Sequence, residues 1–256
     1  ASFTITDDNH ITATPGAGTS GTGTISVITP GGTVISTGSF TVNPVPNVTN
    51  TFSSPVYCNG VAGAAVTFTS DIAGATFTWT STADVGFGTG GTGNIGAYTA
   101  TNTGTTQIIA TITVSATTNG CPGPTSTYTV TVNPMPTVKV GGAMAAICQG
   151  GTSAALGGSF GGGATSAIWS DGGAGGTFTN NGGSTPNTTT YTAAAGSTSP
   201  VTLTLTTAGG SCGTTSANKQ IVVNPNPIVN VGGAVAAICQ GGTSAALGGS
   251  FGGGAT

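Results

Sequence analysis

Side chains able to do acid–base chemistry gather at one point in this sequence, Asp7, Asp8 and His10. With Ser2 or Ser36 they can be drawn as a triad, the imidazole taking a hydroxyl proton and a carboxylate orienting the ring. The spelling Asp7-Asp8-Asn9-His10 before an alternating run is better explained as a turn, because Asx side chains bond their own backbone two residues on. The other carboxylates, Asp71, Asp84 and Asp171, and the two lysines, Lys139 and Lys219, are dispersed, and neither Glu nor Arg occurs. Catalysis and phosphate clamping need ionisable groups that converge, so no enzyme, no catalytic residue and no cofactor is expected. Calcium needs several oxygen ligands, and no D-x-D pair exists; Asp7 and Asp8 could hold one ion only weakly. Zinc lacks a C-x-x-C or a His pair, so no metal site is expected. Intramolecular isopeptide bonds need a lysine and an assisting acid in each core, and one lysine or none per module argues against them.

Charge is scarce throughout: 3% of 256 residues, with a net charge of −3. A chain without arginine cannot replace the counterions of a phosphate backbone, which excludes nucleic acid. No run of 18 apolar residues occurs, so no membrane-spanning segment is expected. The first residues lack the basic and apolar regions of a signal peptide, so a targeting segment is expected outside this sequence. The 47 glycines cluster without a three-residue period, which excludes collagen.

A repeat organises the chain. Residues 139–165 and 230–256 differ only at Lys139/Asn230 and Met144/Val235, at an offset of 91. The tetrad N-P-x-P recurs at Asn43–Pro46, Asn133–Pro136 and Asn224–Pro227, each after a strand-like ending. Alternate prolines fix φ and remove ladder donors, so these are strand stops and stiff connectors. Four segments follow: 1–42, 43–132, 133–223 and 224–256, the outer two read as incomplete pieces of a longer repetitive chain. Cysteine spacing keeps the same phase, since Cys58, Trp79 and Cys121 are matched by Cys148, Trp169 and Cys212. That arithmetic predicts the bridges Cys58–Cys121 and Cys148–Cys212, with Cys239 waiting for a partner beyond Thr256. Bridges belong to oxidising compartments, so the protein is expected outside the cytoplasm.

Period-two alternation fills the modules. Phe77 and Trp79 fall on one face of Thr76–Thr80; Ile108, Ala110, Ile112 and Val114 share a face, as do Tyr128, Val130 and Val132. The second module repeats this with Ile168-Trp169, Phe178, Tyr191, Val201, Leu203, Leu205 and Ile221-Val222-Val223, which puts Trp79 and Trp169 in the cores. About seven short strands per ninety residues predict an all-β fold of tandem immunoglobulin-like sandwiches in an elongated chain. Outward positions carry threonine rows (Thr76, Thr78, Thr80; Thr127, Thr129, Thr131; Thr202, Thr204, Thr206). They suit solvent-facing strand positions, and could also meet ice, glycan or another chain. Asn47-Val48-Thr49 and Asn187-Thr188-Thr189 spell glycosylation sequons. An uncharged surface lacks the usual defence against edge-to-edge contact, which predicts self-association into filaments or bundles.

The opening residues, with Asp7-Asp8-Asn9-His10-Ile11-Thr12-Ala13 and Gly23–Gly32, resemble the C-terminal half of an IPT/TIG domain. The middle module, with Cys58-Asn59-Gly60, Phe77-Thr78-Trp79 and Asn119-Gly120-Cys121, is similar to PKD-like repeats of very large Bacteroidota surface proteins. The next module, with Cys148-Gln149-Gly150, Thr190-Tyr191-Thr192 and Val201–Thr206, resembles their companion repeats. This resemblance implies a structural stalk, filament or cell-adhesion protein at the cell surface, exported by the type IX system and akin to gliding-motility adhesins. A glycan- or surface-binding module acting through sandwich-end loops or threonine faces is the alternative.

Overall fold

The computed structural model describes residues 2–254; Ala1, Ala255 and Thr256, the outermost residues of the expected first and last segments, lie outside the described residues. The chain divides into two compact units. One holds residues 1–103 with 107–133, the other residues 104–106 with 134–256.

In the first unit, β1 (Ser2–Asp7) and β2 (His10–Thr14) form a hairpin, and β3 (Gly21–Thr29) and β4 (Gly32–Val42) form another. The second is bulged between Thr24 and Ser26, where the Ser36 hydroxyl accepts from the Ile25 amide at 2.9 Å. Both hairpins are alternating β-branched sequence, yet Ile5, Ile25, Ile28 and Val34 stay exposed. Next come β5 (Val56–Cys58), β6 (Ala62–Gly63), β7 (Thr76–Ser81), β8 (Gly90–Thr92), β9 (Tyr98–Thr99), β10 (Ile108–Thr118) and β11 (Cys121–Asn133). Five of them form a sheet in the order β5-β11-β10-β7-β8, with β5 running parallel to β11. The β10–β11 hairpin closes on Asn119-Gly120, both at positive φ, the turn that matches the twist of paired strands.

Backbone pairs β6–β9, Val48↔Ser70 and Val66↔Ile95 build the facing layer. Where ladder rungs are missing, side-chain amides replace them. The Asn50 carbonyl oxygen accepts from the Thr69 amide at 2.7 Å, and its NH2 donates to Thr67 O at 2.8 Å. Phe68, Trp79, Val85, Ile112, Val114, Tyr128, Val130 and Val132 fill the space between the layers. Burying each large apolar side chain contributes about 1.5–3 kcal/mol. Two layers with an early strand parallel to the last one make an immunoglobulin-like sandwich.

The second unit contains β12 (Thr137–Lys139), β13 (Ile147–Cys148), β14 (Ser159–Gly161), β15 (Ser166–Ser170), β16 (Thr177–Thr179), β17 (Thr190–Thr192), β18 (Val201–Ala208), β19 (Ser216–Ile221) and β20 (Val223–Asn224). Strands β15-β18-β19 form one sheet, β13 pairs parallel with β20, and a short 3-10 turn spans Pro186–Thr188. Leu156, Trp169, Tyr191, Leu203, Leu205 and Ile221 are buried together. Alternation sorts these strands: Ala167 and Trp169 point inward, so Ile168 is exposed, and Val222 is exposed for the same reason. Finally β21 (Ile228–Asn230) pairs with β22 (Ser250–Gly252) in the same register as β12 with β14.

Candidate interaction surface

The outer face of the first sandwich is a grid of hydroxyls. Cross-strand register aligns Thr80, Thr113 and Thr127 in one row, and Thr92, Thr78, Ser115 and Thr125 in the next. Neighbouring strands stand about 4.8 Å apart, and successive outward residues repeat roughly every 6.7 Å along each strand. Neighbours bond within the grid, as between the Thr78 and Ser115 hydroxyls at 3.2 Å. On the second sandwich Ser170, Thr204 and Asn218 make the matching row, and Thr202 faces Gln220. These rows offer hydrogen-bond donors and acceptors but no charge.

The ionisable groups serve structure. His10 Nδ1 lies 2.8 Å from Asp7, both exposed, and the Asn9 amide donates to the same carboxylate, which is the expected Asx turn. That amide, then the imidazole, holds the Asp7 carboxyl below the usual range. Ser36 is spent on the bulge, donating to Gly38 O at 2.8 Å, so it completes no triad. Asp84 accepts from the Gly86 and Gly88 amides, which lower its pKa and clamp a loop. Asp71 is lowered first by the Asn47 side chain, then by the Asn47 amide. Asp171 accepts from the Gly173 and Gly176 amides. Among the described residues no three of His, Cys, Asp and Glu cluster as a metal site would require.

Lys219 was not legible as a contributor. It lies 5.5 Å from the centroid of the Trp169 ring and donates to Gly142 O at 3.3 Å and to Leu156 O, gathering the loop that follows β12. Burial lowers its pKa.

The predicted disulfide pairs are corrected. Cys121 and Cys148 are free thiols, as is Cys239, whereas Cys58 and Cys212 are disulfide-bonded. The reason is the length of the strands. Cys58 stands opposite Asn133 at one end of β11 and Cys121 begins its other end, a separation of about 40 Å at the rise of a strand. In the second module Cys148 stands opposite Asn224, whereas Cys212 lies in the turn before β19, at least about 27 Å back along the strands. A bridge tolerates a Cα separation of at most about 7 Å. Trp79 and Trp169 are both buried; Trp169 Nε1 donates to Pro186 O at 3.0 Å, and Trp79 packs edge-on against Phe87.

No protein-family model matches the sequence, and no curated protein matches it. Among solved structures the chain is similar to the Ig1 and Ig2 domains of DIP-gamma, with a TM-score of 0.46 and 9% identity over 70% of this chain and 98% of that one. It is similar to the N-terminal eight Ig domains of Down Syndrome Cell Adhesion Molecule, at 0.46 and 14%, over 82% and 28%. It is also similar to mouse cadherin-23 EC22-24, at 0.44 and 11%, over 72% and 67%.

Proposed function

We propose that the chain is a structural, non-catalytic repeat region of an extracellular surface adhesin or filament, with modules at 43–132 and 133–223 giving length and rigidity. Chain-to-chain contact is the second part of this reading. The observation that carries it is a surface nearly without charge that leaves large apolar side chains uncovered within the two complete modules, as at Val56, Ile109, Ile168 and Val222. An ordinary monomer covers such groups or interleaves them with charge. The half-cystines Cys58 and Cys212 support an oxidising compartment. The Bacteroidota, IPT/TIG-like and PKD-like assignments belong to this proposal and rest on the motifs. Sedimentation of the purified chain over a wide concentration range tests it: concentration-dependent association is expected, and a monomer throughout would overturn it.

The in-register hydroxyl rows favour one second reading, in which the sheet face binds an ordered glycan or solid surface. Thr113→Lys, at the centre of the grid, is then expected to abolish retention on insoluble polysaccharide; unchanged retention, or none by the parent chain, counts against it.

A further inference from the structure

The first complete module contains a hollow that its own side chains do not fill. Thr49 still pairs within the facing layer, its amide donating to Thr69 O at 2.9 Å, whereas Pro55 O accepts from the Thr131 amide of β11 at 3.0 Å. Between these two residues the chain leaves one layer for the other. A cavity of about 260 Å³ lies in the angle of that crossing, between segments 50–55 and 64–67. Its wall is aromatic: Phe52 stacks on Tyr128 with ring centroids 4.5 Å apart, and Phe87 and Tyr57 each stand edge-on to Tyr98, at 4.8 and 6.1 Å. Gly63 has no Cβ to collide with the Tyr98 ring, which lies across it. No charged side chain lines the cavity.

Three phenol groups share this wall. The Tyr57 hydroxyl accepts from the Ala64 amide at 3.3 Å. Burial, and after it the neighbouring Tyr57 and Tyr128 phenols, raises the Tyr98 hydroxyl above its usual range. Tyr128 is 7% exposed, and its buried hydroxyl has no hydrogen-bond partner among the described residues. Burying a hydroxyl unpaired costs free energy, so a ligand able to bond it gains at this point.

The second module shows the same position used by the fold alone. Lys219 stands four residues before Val223, as Tyr128 stands four before Val132, and Ile147 faces Val223 as Tyr57 faces Val132. Lys219 spends its ammonium on Gly142 O and Leu156 O, and Ile147 has no hydroxyl. A sandwich of this kind therefore closes without the Tyr57 and Tyr128 hydroxyls.

We propose that the cavity binds one neutral pyranose ring, its apolar face against the aromatic wall and a ring hydroxyl on Tyr128. Sugar hydroxyls donate and accept, as phenols do, and the C–H face of the ring suits an aromatic surface. A charged ligand would lose its water here without meeting a counter-ion. The volume falls just under the roughly 300–1,000 Å³ of pockets for drug-sized ligands, which fits a single ring rather than a chain. The site goes beyond the structural reading and uses neither the self-associating contact nor the threonine rows.

The test is NMR titration of the full chain with the methyl β-glycosides of glucose, galactose and N-acetylglucosamine, beside glucose 6-phosphate and tetramethylammonium. At least one glycoside should bind saturably, with nuclear Overhauser contacts from its ring protons to the Phe52 and Tyr128 rings, and the two ions should not bind. Tyr128→Phe should weaken that binding at least about tenfold, the equivalent of one hydrogen bond. Its melting temperature should equal or exceed the parent's, because only an unpaired group is removed. Unchanged affinity or a lower melting temperature in Tyr128→Phe overturns the proposal, as does preference for either ion. Contacts to threonine methyls instead of the aromatic rings overturn this site and favour the sheet face. A parent chain that binds no glycoside overturns it too, and leaves self-association to the sedimentation test.

Discussion

Cysteine placement is the residue-level feature with the most direct chemical readout. Alkylation without reductant is expected to label Cys121, Cys148 and Cys239, and mass spectrometry to find Cys58 and Cys212 only after reduction; a peptide joining Cys58 to Cys121 would contradict the strand geometry. The two tryptophans differ in what holds them. Trp169 fills the second core and satisfies Pro186 O, whereas Trp79 Nε1 has no hydrogen-bond partner among the described residues and relies on packing alone. Trp169→Ala is expected to cost about 3–5 kcal/mol, read by denaturant unfolding, because it opens a large cavity and removes the Nε1 hydrogen bond to Pro186 O. Asp7, Asp71 and Asp84 are all depressed by amide and side-chain donors. A depressed carboxylate contributes stability above its unfolded pKa, near 4, which disappears as pH falls through the folded value. Melting temperature should therefore fall as pH is taken below about 4, and fall less steeply in Asp84→Asn.

At the level of elements, alternation was legible because a strand sorts side chains by parity. The inward residues of β10 and β11 and the burial of both tryptophans could be read from spacing. Ile168 is exposed beside buried Trp169 because adjacent strand residues face opposite sides. The disulfides were misread because linear spacing says how many residues separate two cysteines, not whether the chain returns between them; here it runs the length of β11 and does not. The facing layers were only partly legible, since their rungs are supplied by asparagine. Asn181 both accepts from the Trp169 amide and donates to Trp169 O, each at 2.8 Å, standing in for a strand beside β15. Substituting Asn181→Ala is expected to cost about 1–3 kcal/mol by orphaning those backbone groups. Substituting Thr113→Lys, on the outward grid, should change stability by less than about 0.5 kcal/mol. Denaturant midpoints of the two variants compare the roles directly.

At the scale of the whole molecule, the shortage of charge decides how assembly responds to solvent. Association driven by ion pairs weakens as salt shortens the screening length from about 10 Å at 0.1 M to about 3 Å at 1 M. This chain has two lysines and five aspartates in 256 residues, and its uncovered faces are aliphatic and aromatic. Apolar association instead strengthens with sulfate and weakens on cooling, because its driving force is the release of hydrating water. The concentration at which oligomers form should therefore stay within about twofold between ~0.1 and ~1 M sodium chloride, fall in sulfate, and rise on cooling. Light scattering across those conditions reads the result, and a steep loss of association with sodium chloride would transfer the contact from the apolar faces to the few charges.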